Sequence, residues 1–438
     1  MYRTVVALVV AGLCMLLAGC EPAPQPNSPT APPLPTARPT EAPRPTSPPP
    51  VTDEPAPTPR PAALRIWAAT RESQEAALRR LLEETATAIQ IEVSVTTRSP
   101  DALYADLAAD LLAGEPAPDL VWASQEELAL LQRDGLLQPV EDGVSTAELL
   151  PATVIGAESG GQRWGTPVAA SGALLLLYNK KLTGDTPTTT DELIVRSRAL
   201  SGGGQVGLVA GWAEPRWFVA LLAGYGGALV GADGAPTLDT PETLAALNLL
   251  KELRVAGPES PSTYADNARL FRRGDAAYAL DGDWALDSYR QYTDTLELGI
   301  APMPLIPATG RAAAPPLNGV YLMYSRDLTG ARLEQARALA AALLQPQAQA
   351  RMAQEVGLLP ALRTALADPA VQQQPALAAA AARAEEALGL PADKELRCAW
   401  DALAIWLPAV LLDEQQPQEA ATRMQQDAET CASKAEGS

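Results

Sequence analysis

The chain has no histidine among its 438 residues and only two phenylalanines. Catalysis of the Ser-His-Asp or Cys-His type and zinc sites with imidazole ligands are therefore excluded. Hydrolysis by paired carboxylates stays open, because it needs only Asp and Glu. Basic residues are also scarce, 33 against 52 acidic ones, and the resulting formal charge of −19 argues against a nucleic-acid partner.

Long hydrophobic runs are missing beyond the first 20 residues, so no transmembrane helix is predicted there. At the start, Arg3 precedes an apolar run at 5–17, and Leu17-Ala18-Gly19-Cys20 follows directly. The run is too short to span a bilayer stably and is typical of a signal peptide. The four residues resemble the lipobox of bacterial lipoproteins, so we predict a signal peptide over 1–19 and a lipid on Cys20. An ordinary secretory signal with a chance cysteine is the alternative.

Large apolar residues are nearly absent from 21–62, where proline occupies 17 of 42 positions. A segment of this composition cannot bury a core, and its prolines favour an extended, semi-rigid chain. We predict that 20–62 comprises the lipidated cysteine and a proline-rich, disordered stalk. A proline-rich ligand for a partner domain is the alternative.

From residue 63 the sequence alternates between strand and helix patterns. Short apolar or alternating runs predict strands, and leucines at helical spacing predict helices between them. The strands are predicted at 64–67, 89–95 and 119–122, and the helices at 72–87, 101–112 and 125–133. Such alternation indicates an α/β fold with a parallel sheet and crossover helices.

The second half continues with mixed elements and then becomes mostly helical. Strands are predicted at 172–179, 276–281, 298–303 and 320–325, helices at 190–200, 217–229, 240–254 and 284–291, and nearly all helix after 333. Three consecutive glycines at 202–204 are interpreted as a turn. They are not followed by Gly-Lys-Ser/Thr, the ending that a phosphate-binding loop requires.

Short motifs in a fixed order carry a resemblance that covers roughly 63–430. They are Ala117-Pro118-Asp119-Leu120-Val121-Trp122, Trp164-Gly165-Thr166-Pro167, Tyr178-Asn179-Lys180, Tyr225-Gly226-Gly227, Phe271-Arg272-Arg273-Gly274-Asp275, Asp281-Gly282-Asp283-Trp284 and Gly357-Leu358-Leu359-Pro360. The chain resembles bacterial extracellular solute-binding proteins of the carbohydrate-associated class, which includes the maltose and maltodextrin-binding proteins of ABC importers.

The resemblance implies a two-lobed, type II-like periplasmic-binding-protein fold. Each lobe is a sheet flanked by helices, and the ligand lies in the cleft between them. Carried over by motif, residues 63–171 and 320–366 form lobe 1, and residues 172–319 and 367–438 form lobe 2. Closure of the lobes on a ligand is the expected motion.

Aromatic and charged ligand contacts are also implied by the resemblance. Trp284 stands where sugar-binding relatives carry a stacking tryptophan, and Trp400 matches a second such position. The segment 214–217 matches one that supplies a carboxylate and an aromatic in maltose binders. We therefore include Glu214, Arg216 and Trp217, although an arginine replaces the aromatic residue here.

Four more charged residues complete the predicted site. They are Glu126, Arg71, Glu72 and Asp283. Departures from the maltose pattern include Ala123 in place of a tryptophan and a reversed charge order at Arg71 and Glu72. A sugar is favoured, because Arg and Glu can bind paired hydroxyls while tryptophan supplies a platform. Unpaired Arg71 and Arg216 would make an anionic solute reasonable.

Cysteine usage fits export, because Cys14 leaves with the signal peptide and Cys20 receives the lipid. Cys398 and Cys431 remain, and we predict that they form a disulfide; two free thiols are the alternative. No metal site and no cofactor are expected, since Asp281-Gly282-Asp283 falls far short of an EF-hand loop.

Three functions remain open. The favoured one is a lipid-anchored, monomeric receptor that captures a sugar and delivers it to an ABC transporter permease, without covalent chemistry. The others are a polysaccharide hydrolase or lyase with paired carboxylates, and a receptor for a non-sugar solute that reports to a membrane sensor. With no histidine present, we expect little change of affinity between about pH 6 and 8, unless a carboxylate has a perturbed pKa.

Overall fold

The computed structural model describes residues 63–231, 234–257, 263–314, 316–391 and 393–434, except for the side chain at 394. The predicted signal peptide, the lipidation site Cys20 and the stalk lie outside the described residues. The described residues belong to one unit of tertiary contacts, 61–438. They form two larger sheets and two short hairpins, each sheet flanked by helices, and so confirm the predicted α/β class.

The first sheet has six strands. In spatial order they are Leu359–Pro360, Thr166–Ser171, Asn318–Tyr324, Leu120–Ser124, Leu64–Ala69 and Val93–Arg98. Leu64–Ala69 pairs in parallel with both Val93–Arg98 and Leu120–Ser124, as the alternation predicted. Asn318–Tyr324 returns antiparallel between Leu120–Ser124 and Thr166–Ser171. The central strands are apolar on both faces, because helices cover both sides of the sheet.

The second sheet has four strands. In spatial order they are Leu298–Ala301, Leu174–Asn179, Ala276–Gly282 and Val206–Ala210. Every residue of Ala276–Gly282 is buried, so this strand lies at the centre of its core. The short hairpins pair Glu158–Ser159 with Gln162–Arg163, and Leu305–Ile306 with Arg311–Ala312.

The helices of the described residues fall into two groups along the chain. Before residue 290 they are Glu72–Ala88, Pro100–Leu112, Gln125–Arg133, Pro151–Ile155, Thr190–Leu200, Pro215–Gly224, Pro241–Arg254, Tyr264–Arg272 and Leu286–Tyr289. After the strand Asn318–Tyr324 they are Gly330–Leu343, Pro346–Arg351, Pro369–Gln372, Pro375–Ala384, Lys394–Leu411 and Pro417–Lys434. Shorter turns are the 3-10 helices Thr146–Glu148, Asp283–Ala285 and Arg363–Ala367 and the π-helix Met352–Val356.

The last two long helices belong to the core of the second sheet. Leu403, Leu407 and Met424 are buried in the same cluster as Leu176 of that sheet and Phe218. The strands of the first sheet come from 64–171 and 318–360, and those of the second from 174–301. The residue limits of the two lobes stay a prediction, although the strand Asn318–Tyr324 begins two residues before the limit predicted at 320.

Two predicted elements differ from the structure for identifiable reasons. The alternating run at 89–95 suggested a strand, but the helix Glu72–Ala88 first closes with Gln90 at φ 62°, and the strand begins at Val93. The helix predicted at 217–229 covers Pro215–Gly224, because proline starts it two residues earlier and Gly226 at φ 87° turns the chain away.

Candidate functional site

Polar ends of strands from both sheets meet at one place. In the first sheet, Ser124 pairs with Val320 and Ser171 pairs with Asn318, so these strand ends share an edge with Ala69. In the second sheet, Leu174 pairs with Gly282, which places the turn after Gly282 beside the start of the neighbouring strand. Side chains at the ends of strands can contact a ligand, because they lie outside the packed layers of the sheet.

The chain crosses between the two sheets at Gly172. This residue has φ of +79°, in the left-handed region that glycine adopts without strain. Its backbone N–H donates to the carboxylate of Asp283 at 3.0 Å, and the N–H of Ala173 donates to the same oxygen at 3.3 Å. The Asp283 carboxylate thus stabilises the crossing, and burial raises its pKa.

A cavity of about 350 Å³ opens between the two sheet edges. Residues that line it from the first sheet and its helices include Thr70, Arg71, Gln74, Ser124, Glu126 and Asn318. From the other side come Gly172, Arg216, Asp283 and Trp284. The cavity therefore brings together five of the predicted ligand residues, Arg71, Glu126, Arg216, Asp283 and Trp284.

A second cavity of about 690 Å³ continues from the first. Glu126, Arg216 and Asn318 line both, so the two form one continuous cleft. The second cavity extends along the helix Gln125–Arg133 and ends at Trp400 on the helix Lys394–Leu411. Volumes of roughly 300–1,000 Å³ are usual for small-molecule sites.

Contacts between residues flanking the cleft join its two sides. A guanidinium N–H of Arg71 donates to the backbone carbonyl of Asp283 at 3.3 Å, and the hydroxyl of Ser73 donates to Asp287 at 2.8 Å. At the second cavity, the side-chain amide of Gln125 donates to the carbonyl of Leu390.

Trp284 lies half-buried at the wall of the first cavity. It follows the strand Ala276–Gly282 directly, in the 3-10 turn Asp283–Ala285. The six-membered ring covers Gly282 so closely that a Cβ there would lie 2.0 Å from Cζ3 of the indole. Glycine is therefore required at 282 for this close approach.

Trp217 does not line the cleft, which corrects its predicted place among the ligand contacts. It is 7% exposed, and its indole N–H donates to the carbonyl of Leu280 at 2.7 Å. Its ring meets that of Trp284 edge-on with centroids 6.1 Å apart. Because the helix begins at Pro215, position 217 points into the core, and Trp217 supports Trp284 from behind.

Two predicted carboxylates also lie outside the cleft. Glu72 is exposed in the first turn of the helix Glu72–Ala88, and Glu214 is exposed at the N-cap of the helix Pro215–Gly224. Neither lines either of the two cavities. Acidic residues at helix starts interact favourably with the helix dipole, which accounts for both without a ligand.

Arg216 stands at the junction of the two cavities. Its guanidinium carbon lies over the Trp284 ring, 5.5 Å from the centroid. Burial lowers the pKa of Arg216, while the negative charges of Glu126 and Asp283 act in the opposite direction. Two carboxylates therefore oppose the charge of the arginine in part, while burial has the larger effect on its pKa.

Trp400 lines the far cavity and packs partly against the core of the second sheet. Two residues earlier on the same helix, Cys398 is joined to Cys431 by a disulfide with Cα atoms 5.6 Å apart. The helices Lys394–Leu411 and Pro417–Lys434 are thus linked below the tryptophan.

Several lining residues escaped the sequence prediction. They include Thr70, Gln74, Ser124 and Asn318 in the first cavity, and Gln132, Arg133 and Arg397 in the second. A sequence signal that could have found Thr70, Ser124 and Asn318 is their position beside the ends of strands. These strand ends lie together on one side of the first sheet. In the described part of the chain no cluster of metal-ligating side chains occurs, and no helix is long and apolar enough to cross a membrane.

A family model of bacterial extracellular solute-binding proteins matches residues 81–379. The maltotriose-binding protein of Pyrococcus abyssi is 24% identical over 359 residues, which cover 80% of this chain and 77% of that protein.

Solved structures confirm the type of fold. The maltose/maltodextrin-binding domain from Bdellovibrio bacteriovorus bound to maltotriose has a TM-score of 0.64 at 26% identity, covering 84% of this chain and 99% of that one. The cyclic alpha-maltosyl-1,6-maltose binding protein from Arthrobacter globiformis has a TM-score of 0.73 at 20% identity, with coverage of 85% and 99%. Both show the same type of fold. The family match, which spans more than half of the chain, establishes that the chain belongs to the bacterial extracellular solute-binding protein family.

Proposed function

We propose that the protein is a lipid-anchored extracellular receptor that captures a sugar or short oligosaccharide in its cleft and delivers it to the permease of an ABC transporter. The observation that carries the proposal is the cleft itself, which has Trp284 in the wall of its first cavity and Trp400 in the wall of its second. Relatives named for maltotriose and maltodextrin binding support a carbohydrate of the α-glucan type.

The chemistry of the cleft suits a sugar. An indole face packs well against the C–H face of a pyranose, and the ring hydroxyls need planar polar partners. Glu126 and Arg216 line both cavities, whereas Trp284 lines the first and Trp400 the second. A chain of more than one sugar unit would contact both platforms.

Charge in the cleft favours a neutral ligand over an anion. Glu126 and Asp283 both act on Arg216, so their negative charges oppose the positive charge of that arginine. Glu127, also at the cavity wall, accepts hydrogen bonds from the backbone N–H and hydroxyl of Ser124. An anionic solute would have to displace these compensating carboxylates.

The same arrangement argues against hydrolysis. A paired-carboxylate enzyme needs an acid and a base that face the bond to be cleaved. Of the carboxylates lining the first cavity, Glu127 serves the N-cap of its helix and Asp283 accepts from the amides at the chain crossing. We therefore infer binding without turnover, as the names of the relatives also suggest.

Capture requires that the ligand bind a closed state better than an open one, since equal affinity for both shifts no equilibrium. The contacts Arg71–Asp283 and Ser73–Asp287 flank the cleft. We infer that they form on closure and that ligand contacts to both walls add to them.

A calorimetric titration of the purified protein with maltose, maltotriose and maltotetraose tests the ligand. Glucose 6-phosphate, amino acids and polyamines serve as controls. We expect saturable binding of at least one maltodextrin with its concentration unchanged after incubation. Binding of the phosphate ester alone would overturn the neutral-sugar assignment, and disappearance of the sugar would overturn the receptor.

Anchoring is tested separately, by expressing the full chain and its Cys20→Ser variant in a bacterium. We expect the native chain to sediment with membranes and incorporate a labelled fatty acid, and the variant to do neither. Equal fractionation of the two chains would contradict the lipid anchor and leave the sugar site untouched.

A further inference from the structure

Behind Trp284 lies a chain of hydrogen bonds that ends on a buried carboxylate. The indole N–H of Trp284 donates to the hydroxyl oxygen of Tyr264 at 3.0 Å, and that hydroxyl donates to Oδ1 of Asp281 at 2.9 Å. The N–H of Gly282 donates to Oδ1 at 2.7 Å, and the hydroxyl of Tyr289 donates to Oδ2. The ring of Trp284 is thus connected to a side chain three residues before it.

The surroundings of residue 281 are unfavourable for a charged carboxylate. Asp281 is 2% exposed at the centre of the second sheet, and burial raises its pKa to about 6. Hydrogen bonds from Tyr289, Gly282 and Tyr264 and the charge of Arg272 act in the opposite direction. Because burying a carboxylate among neutral groups destabilises a fold, the residue calls for an explanation.

A carboxylate can do one thing here that an amide cannot, which is to accept hydrogen bonds without donating any. Burial and the charge of Asp281 raise the pKa of both Tyr264 and Tyr289, so both hydroxyls keep their protons. Each proton therefore points to Asp281. The remaining lone pairs of the Tyr264 oxygen then face the N–H of Trp284, and the direction of the whole chain is fixed.

Packing restricts the same ring from another side. Trp217 lies edge-on to Trp284 and 5.5 Å from the ring of Tyr264, measured between centroids. Gly282 leaves room for the indole over the end of the strand. Rotation of Trp284 would break its hydrogen bond and its contact with Trp217 together.

We propose that Asp281 and Tyr264 are positioning residues that hold the Trp284 ring in its ligand-binding orientation before the ligand arrives. The inference rests on the proposed role of Trp284 as a platform. The proposed effect is preorganisation of the binding site. A side chain that is already ordered loses less conformational entropy on binding.

The first test needs no ligand. Near-ultraviolet circular dichroism reports how rigidly a tryptophan is held, and the difference between the native protein and Trp284→Ala gives the signal of Trp284. We expect Tyr264→Phe to lose most of that difference signal, and Asp281→Leu as well, because leucine offers no acceptor to the Tyr264 hydroxyl. Tyr289→Phe is the matched control, because it removes a hydrogen bond from Asp281 without touching Trp284.

The second test measures maltotriose affinity of the same variants, each also in the Trp284→Ala background. We expect Tyr264→Phe to weaken binding roughly three- to tenfold, the cost of ordering one side chain, and to have no effect once Trp284 is absent. Tyr289→Phe should leave the affinity unchanged.

The outcomes separate the two proposals. If Trp284→Ala binds maltotriose as well as the native protein, the platform is wrong, whatever the dichroism shows. If Trp284→Ala loses affinity but Tyr264→Phe and Asp281→Leu keep both the affinity and the dichroic signal, the platform stands and the positioning role is overturned. An equal loss with and without Trp284 would also overturn it, because it would indicate general destabilisation.

Discussion

The two ends of the cleft hold their tryptophans in different ways. Trp284 follows a fully buried strand and is fixed by a hydrogen bond, an edge-on aromatic contact and a closely packed glycine. Trp400 lies on a helix near the C-terminus and packs only partly against the core, and among the described residues its indole makes no hydrogen bond. The first end is ordered by side chains, and the second by the link between two helices through Cys398. A rigid end can select one sugar ring, while a less constrained end can accept ligands of different length.

Breaking the disulfide should cause the largest loss of stability. This loss should arise in the two helices linked by the disulfide, one of which carries Trp400. Reduction, or the double variant Cys398→Ser with Cys431→Ser, opens a loop with a sequence separation of 33 residues. We expect the free energy of unfolding to fall by about 3–4 kcal/mol in the chain-entropy model, measured by denaturant titration. Mass spectrometry after alkylation of unfolded, unreduced protein checks the premise, and two alkylated cysteines would contradict it.

Removing the tryptophans compares the two ends directly. Trp284→Ala should weaken maltotriose binding by about 1–3 kcal/mol, the range for a buried aromatic contact, and Trp400→Ala should weaken it less. Trp406→Ala is the matched control, since Trp406 is also half-buried and bonded to Asp427 but lines neither cavity. Calorimetry measures all three. A larger loss at Trp400 would reverse the comparison.

Gly282→Ala should disturb the rigid end without deleting the indole. The added methyl group would overlap the Trp284 ring, and such overpacking costs about 1–3 kcal/mol of stability. We expect a lower melting temperature and weaker maltotriose binding. Gly184→Ala is the control, because nothing lies within 4 Å of its added Cβ. Unchanged affinity in Gly282→Ala would show that the ring orientation is not important for binding.

Acidification should slightly raise the free energy of unfolding, because it neutralises the buried carboxylate of Asp281. The folded pKa of Asp281 is about 6, above the unfolded value of 3.8, so its stabilising contribution is complete below about pH 4 and is lost as the pH rises through 6. Between pH 7 and pH 5 we expect this group to add about 1 kcal/mol to the free energy of unfolding. The difference between the native protein and Asp281→Asn isolates it, and parallel pH profiles of the two would refute the assignment.

The fold was largely predictable, because strand and helix periodicity and the order of short motifs both persist from residue 64 onward. Trp284 was found through the motif at 281–284, yet the role of Asp281 in it was not. Its partners Tyr264 and Tyr289 lie on two separate helices, and no spacing in the sequence relates them to each other. Trp217 was misplaced because the helix that carries it starts at Pro215, and two residues decide whether a side chain faces a cleft or a core. The expectation that ligand affinity changes little between about pH 6 and 8 left a carboxylate with a perturbed pKa open. That burial raises the pKa of Asp281 is visible only in the structure.

The crossing at Gly172 has a consequence for the evolution of the chain. Its amide and that of Ala173 depend on the carboxylate of Asp283, more than a hundred residues later, and its positive φ depends on having no side chain. Loss of Asp283 would leave both amides without this acceptor, and a side chain at 172 would strain the backbone. In an alignment of homologues we therefore expect both residues to be kept, Gly172 for its backbone conformation and Asp283 for its carboxylate.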